Sequence, residues 1–226
     1  MGAPNVAKDD PTIRPPYQMA GVRLLLTGIV FEEGSLDGQL PPGVEPAEGL
    51  TGHVVAYTCD TSYPFGAYTG MYISADVEGY DAADGSKARV MLATAYGPDP
   101  EPADLMGRYV GFPTSVGSAR VEQTSRGIRA TATTAGEDFF VTELAISPTR
   151  TNAAGILRWV SVHDATGEVV VSDEPWIGDF AEGTLVDASF TAPAGTIFEP
   201  YRVADFQWAA EIGSSAFAFM AKPGLA

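Results

Sequence analysis

Cysteine is nearly absent: Cys59 stands alone among 226 residues. No internal disulfide and no cysteine-rich zinc site can form, which suits a reducing cytoplasm. Cys59 closes the apolar run Val54-Val55-Ala56-Tyr57-Thr58, so a buried structural thiol is expected rather than a nucleophile. Positive charge is scarce too. The chain carries 13 lysines and arginines against 29 acidic residues, a formal charge of −16. No basic patch offsets this, so nucleic acid and anionic membrane surfaces are poor partners and a small molecule is favoured. The acidity also reads simply as a solubility device. No apolar stretch approaches the length of a membrane span. The opening MGAPNVAKDDPTIRPP has no apolar signal core and no myristoylation serine or threonine. With Pro11, Pro15 and Pro16 keeping it extended, residues 1–16 read as a flexible arm. Histidine is limited to His53, at the start of a strand, and His163, before a turn. Both read as surface groups, and no spacing supplies the ligands of a zinc site. No glycine-rich loop has phosphate-cradle spacing, and no G-x-S-x-G elbow is present.

What the chain has is turn formers and short apolar segments. Glycine numbers 25 and proline 17, and hydrophobic residues make up 45%. That favours a β-rich fold with a sizeable core. Gly21 to Phe31, His53 to Thr61, Ala67 to Val77 and Ala88 to Tyr96 read as strands. In the third, Met71, Ile73, Ala75 and Val77 share one face. Pro102 to Tyr109 is the clearest helix, with an acidic first turn and Gly111-Phe112-Pro113 to end it. Strands follow at 118–124, 127–134, 138–146, 155–163 and 167–172, the last two joined by a turn at Asp164-Ala165-Thr166-Gly167. Gly183 to Thr191, Tyr201 to Ile212 and Ala216 to Ala221 complete the set. Roughly ten strands and few helices predict a barrel or sandwich. No repeat or linker divides residues 17–226, which read as one domain.

Several segments resemble the acetoacetate decarboxylase family, in the family's own order. Leu40-Pro41-Pro42-Gly43-Val44 is similar to its early turn. Pro64-Phe65-Gly66-Ala67-Tyr68-Thr69 resembles an "FG-x-Y-T-E" segment, and Met106-Gly107-Arg108-Tyr109-Val110-Gly111-Phe112-Pro113 a "GRE-x-WGFPKK" segment. Trp176-Ile177-Gly178 resembles a "W-x-G" element. The resemblance spans about residues 17–222. It implies a cone-shaped closed antiparallel β-barrel with flanking strands and a few short helices. Its interior would hold the ligand, and the chain would form a homo-oligomer.

The departures are chemical. The family's Schiff-base lysine follows the GFP turn, beside a second lysine that lowers its pKa. Thr114 and Ser115 occupy those positions, and no hydroxyl forms an iminium ion. Gly70 replaces a carboxylate, and a matching arginine would fall near Val30 or Phe31. Only Lys8, Lys87 and Lys222 exist in the whole chain, near a terminus or just after a turn. Decarboxylation through a lysine is therefore not expected.

Thr114 and Ser115 would face the old reaction centre, with Tyr68 and Tyr96 beside it. They either orient a ligand carbonyl or merely fill a turn and a core. Glu143 lies on the strand face of Phe139, Val141 and Ala145. It reads as a buried general acid–base group, as a solvated charge, or as the partner of Arg129 or Arg158. Glu143, Tyr68 and Ser115 are the catalytic candidates; Thr114, Tyr96, Phe112, Met71 and Trp159 are the substrate-binding ones. No metal or cofactor is expected. The first reading is a cofactor-free cytoplasmic enzyme of polyketide- or terpenoid-type biosynthesis that cyclises, dehydrates or isomerises a hydrophobic oxygenated molecule. The second is a non-catalytic binder or carrier of such a molecule.

Overall fold

The computed structural model describes residues 13–147, 149–163 and 166–220. Ten strands and one helix follow in chain order: β1 Tyr17–Phe31, β2 Thr51–Tyr63, β3 Tyr68–Val77, β4 Ala88–Gly97, α1 Pro100–Tyr109, β5 Thr114–Gln123, β6 Ile128–Thr134, β7 Glu137–Ile146, β8 Thr151–Val162, β9 Val169–Phe190 and β10 Val203–Phe219. Branched and aromatic residues dominate the strands, as a pleated, packed surface requires. The helix starts two residues earlier than the sequence pattern places it, with prolines in its first turn and Arg108 paired to Asp104 four residues back.

The strands close on themselves. β1 to β7 run in order, β9 pairs β7, β10 pairs β9, and β10 returns to β1. A closed ring leaves no long open edge. Most pairings are antiparallel, as the barrel reading requires. Two are not: β4 runs parallel to β5 and, over Ala88↔Arg158 and Arg89↔Trp159, parallel to β8.

The segments at 167–172 and 183–191 turn out to be one 22-residue strand, β9. Its first half, to Phe180, pairs β8, its middle pairs β10, and its last part pairs β7. Pro175 sits inside it, opposite Ile156. Likewise the segments read at 201–212 and 216–221 fall on one strand, β10, Val203–Phe219, bent where Ser214 takes a positive φ of 46°; Ala221 lies outside the described residues. Asp164 and Ala165 of the expected turn lie outside the described residues, as does most of the expected arm. The Val162↔Val169 pairing still brings β8 and β9 together as a hairpin.

This topology gives the sheet β10-β1-β2-β3-β4 a packed layer on each face. On one face Leu25, Val54, Ala56, Met71 and Ile73 meet Ala130, Ala132, Phe140 and Leu144 of the ring's far side. On the other, Leu24, Val55, Tyr57, Tyr68 and Tyr96 meet Leu105 and Met106 of α1 and Leu157 and Trp176 of the β8–β9 hairpin. Alternate residues of one strand therefore serve different cores. Each fully buried large side chain contributes roughly 1.5–3 kcal/mol. Among the described residues no helix is long and apolar enough to cross a membrane.

Candidate functional site

The second core is hollow. A cavity of about 50 Å³ lies between the sheet face and the β8–β9 hairpin. Its wall is almost wholly apolar or phenolic: Tyr57, Tyr68, Tyr72 and Tyr96 from the sheet, Met106 from the helix, Phe112, and Trp159 from β8. The tyrosines pack edge to face, Tyr57 on Tyr68 with ring centroids 5.9 Å apart and Tyr68 on Tyr96 at 5.8 Å. Trp159 continues the ring system, 5.7 Å from Tyr72 and 6.3 Å from Phe112. Burial first of all pushes all four phenols up, so they stay neutral at any ordinary pH. They can donate hydrogen bonds but cannot serve as bases.

One carboxylic acid enters this box. Glu174 lines the cavity and accepts a 2.7 Å hydrogen bond from the Trp159 indole N–H. On β9, Ser172, Glu174 and Trp176 are more enclosed, while Val171, Asp173, Pro175 and Ile177 are exposed, which aims Glu174 inward. Enclosure by apolar groups raises its pKa to about 7, against a smaller lowering by the Trp159 bond. It is half-buried, and it also lines an adjoining groove of about 400 Å³. Met91, Phe112, Trp159 and Phe219 line both spaces as well. The inner cavity has room for a few water-sized groups. The groove falls in the range of small-molecule sites, roughly 300–1,000 Å³.

Of the residues expected here, the structure brings together Tyr68, Tyr96, Phe112 and Trp159. It places four others elsewhere. Glu143 is buried in the opposite lobe, on β7, and bonded to Thr124 at 2.9 Å, to Arg129 at 3.3 Å and to Arg126. Burial pushes its carboxyl up, but the Thr124 and Arg126 hydrogen bonds and the two guanidinium charges outweigh this and hold it below the ordinary range. It is an ion-pair partner, not the proton shuttle of this cavity. Thr114 and Ser115 do not line the cavity either. Their hydroxyls donate to the carbonyls of Ala103, at 3.2 Å, and Thr94, at 3.3 Å, fastening α1 and β4 to β5. Short hydroxyl side chains commonly bond the nearby backbone in this way. Met71 faces the first core, because the cavity takes Tyr68 and Tyr72 from the other side of β3.

Sequence reasoning missed Glu174, Tyr57 and Tyr72. The signal for Glu174 was its alternation with Ser172 and Trp176, which continues past the end of the strand read at 167–172 and across Pro175. His53, read as a surface group, is buried, with its ring 5.5 Å from that of Trp208 and Nδ1 3.5 Å from Asp76. Burial and then the Arg89 charge push its pKa down to about 3, so it is neutral. Cys59 is a buried thiol as expected, pushed up to about 11 by desolvation.

Gly70 explains the box. A Cβ there would lie 2.6 Å from the Tyr57 ring and 2.9 Å from Tyr96. The space that a side chain would take is filled by Tyr57. Among the described residues no lysine lines the cavity or the groove; Lys87 is paired with Asp81 at 2.6 Å elsewhere. Nor is any cluster of three His, Cys, Asp or Glu side chains placed to hold a metal ion.

No family model and no curated protein matches the chain by sequence. The solved structures do match. Acetoacetate decarboxylase from Legionella pneumophila superposes with a TM-score of 0.68 at 13% identity, over 98% of this chain and 90% of that one. A further acetoacetate decarboxylase structure gives 0.64 at 13% identity, over 91% and 87%. The enduracididine biosynthesis enzyme MppR, solved with pyruvate, gives 0.66 at 12% identity, over 93% and 90%. The chain therefore has the fold of acetoacetate decarboxylase and of acetoacetate decarboxylase-like enzymes. These identities speak to the fold alone.

Proposed function

We propose that this chain is a lysine-independent acid–base enzyme on an acetoacetate decarboxylase-like scaffold. Its substrate is a small hydrophobic oxygenated molecule of natural-product type, which it isomerises, dehydrates or cyclises. Glu174 carries the reading. A carboxylic acid poised near pH 7 inside an aromatic box exists in both protonation states at working pH, which is what proton transfer at carbon or oxygen requires. Trp159 orients the carboxylate through its N–H. The neutral phenols are suited to donate hydrogen bonds to a ligand oxygen as negative charge develops on it. The groove would hold the body of the ligand and the inner cavity its reacting group. That a fold neighbour is a biosynthetic enzyme supports the class of reading.

The test does not need the natural substrate. A panel of enolisable aryl ketones and β-hydroxyketones is incubated with the protein in D₂O, and deuterium uptake next to the carbonyl, or loss of water, is followed by NMR. Positioned acid–base groups contribute about 10²–10⁴-fold, so Glu174→Gln is expected to lose the activity by at least about a hundredfold. Ligands that bind without exchange or turnover in the native protein would make it a carrier instead. Equal exchange by native protein and Glu174→Gln would remove Glu174 from the chemistry.

A further inference from the structure

A third cavity, of about 250 Å³, lies under the β8–β9 hairpin on the far side of the inner one. The two share Leu24, Tyr72, Leu157 and Phe217, so a single layer of side chains separates them. The third cavity shares no lining residue with the groove. The order of spaces is therefore groove, inner cavity, third cavity. Their charges differ. The groove is lined by Asp173 and Glu174 and by no lysine or arginine. The third cavity is lined by Lys87 and Arg89 and by no acidic residue. The chain has a net charge of −16 and only 13 cationic residues, and two of them line this cavity, each paired with an aspartate, Asp81 or Asp76, that does not line it.

Arg89 is largely buried and held in place. Its Nε donates to Asp76 at 3.1 Å, and Asp76 is fixed in turn by Thr51 at 2.8 Å. Among the described residues no acceptor takes the two terminal nitrogens of its guanidinium. A guanidinium anchored by one nitrogen, with a fork of donors remaining, suits a planar or tetrahedral anion. Lys87, paired with Asp81, stands at the same cavity with a more exposed ammonium. Tyr72 lies within reach of the charges of both Arg89 and Glu174.

We infer that this third cavity binds the anionic end of the substrate, a carboxylate or phosphate on an apolar body. Arg89 is its anchor and Lys87 a second contact; the ligand would cross the single layer at Tyr72, Leu157 and Phe217, leaving its reacting group in the inner cavity beside Glu174 and the rest of its body in the groove. The placement of the reacting carbon rests on the acid–base reading above; the anion site does not.

Three matched probes test it: phenylbutyrate, phenylbutyl phosphate and phenylbutanol, titrated by calorimetry at low salt and pH 7.5. Without an anion site the protein's own field makes the alcohol the best ligand. With it, at least one anion binds about tenfold tighter than the alcohol, the equivalent of one well-placed charge contact. Whichever anion wins identifies the headgroup. Lys87→Glu, at an exposed position and with its fold checked by circular dichroism, is expected to lower the preference severalfold. Arg89→Gln is made together with Asp76→Asn, so that no buried charge is left unpaired, and is expected to abolish it. If that double variant does not fold, Lys87→Glu alone decides. An alcohol that binds native protein as tightly as both anions overturns the inference, as does a preference unchanged in Lys87→Glu and, where it folds, the double variant. An intact anion preference with unimpaired exchange in Glu174→Gln would instead leave the anion site standing and remove the acid–base reading.

Discussion

Glu174→Gln makes a sharp prediction about stability. In the unfolded chain its carboxyl titrates near the ordinary 4.5, and in the fold at about 7. Below pH 4.5 both states hold the proton, and Glu174 contributes nothing to the pH dependence. As pH rises through that window the unfolded chain releases a proton that the fold retains, so stability falls. Above about 7 both have released it, and the full penalty of a buried anion is present. At about 1.36 kcal/mol for each pH unit, the window from 4.5 to about 7 amounts to about 3 kcal/mol. Glutamine keeps the shape and can still accept the Trp159 N–H, but it does not titrate. Urea unfolding of both proteins at half-unit steps from pH 4.5 to 8.5 gives the difference curve, which cancels every other group. The variant is expected to gain steadily on the native protein, reaching an advantage of about 3 kcal/mol by pH 8 relative to pH 4.5. A flat difference would mean that Glu174 is solvated, and the chemical argument would fall with it.

Glu143 predicts the opposite slope. Its carboxyl is held below 4.5 in the fold, so its stabilisation is complete above 4.5 and is lost as pH falls through the lower folded value. Glu143→Gln is expected to be less stable at pH 7, to approach native stability in acid, and to leave ketone exchange unchanged, by the same urea and NMR assays. Gly70→Ala drives a methyl into the Tyr57 and Tyr96 rings and is expected to lower stability by about 1–3 kcal/mol, read by thermal unfolding, with loss of ligand binding. Cys59, buried and with its thiol pushed up to about 11, is expected to resist a thiol reagent at pH 8 until the chain is unfolded; rapid native-state labelling would contradict its burial.

The strands were legible in the sequence because branched and aromatic runs alternate with turn residues. The assignment of faces was not. Both sides of the β10-β1-β2-β3-β4 sheet are packed, so β3 is buried at nearly every position and the alternation that separates inside from outside disappears. Met71 and Tyr68 were equally apolar choices, and only the β8–β9 hairpin over one face distinguishes them. Of the three readings of Glu143, the ion pair with Arg129, its cross-strand neighbour, is the one present; the further partner Arg126 comes from the β6 approach, and no strand period predicts that contact. Thr114 and Ser115 lie near the cavity by resemblance, but two backbone carbonyls hold their hydroxyls. Glu174 lies just past the strand read at 167–172, and β9 continues through Pro175, which a strand tolerates only where no ladder hydrogen bond needs its nitrogen.

The two-core sheet has a consequence for anyone who wishes to redesign this protein. Neighbouring residues such as Leu24 and Leu25, or Val54 and Val55, answer to separate demands, one set by the cavity and the other by the solid lobe. A library that randomises only the cavity-facing register of β1, β2 and β3 would vary ligand specificity while leaving the opposite lobe to hold the chain together. The complementary library would vary thermal tolerance with the chemistry untouched.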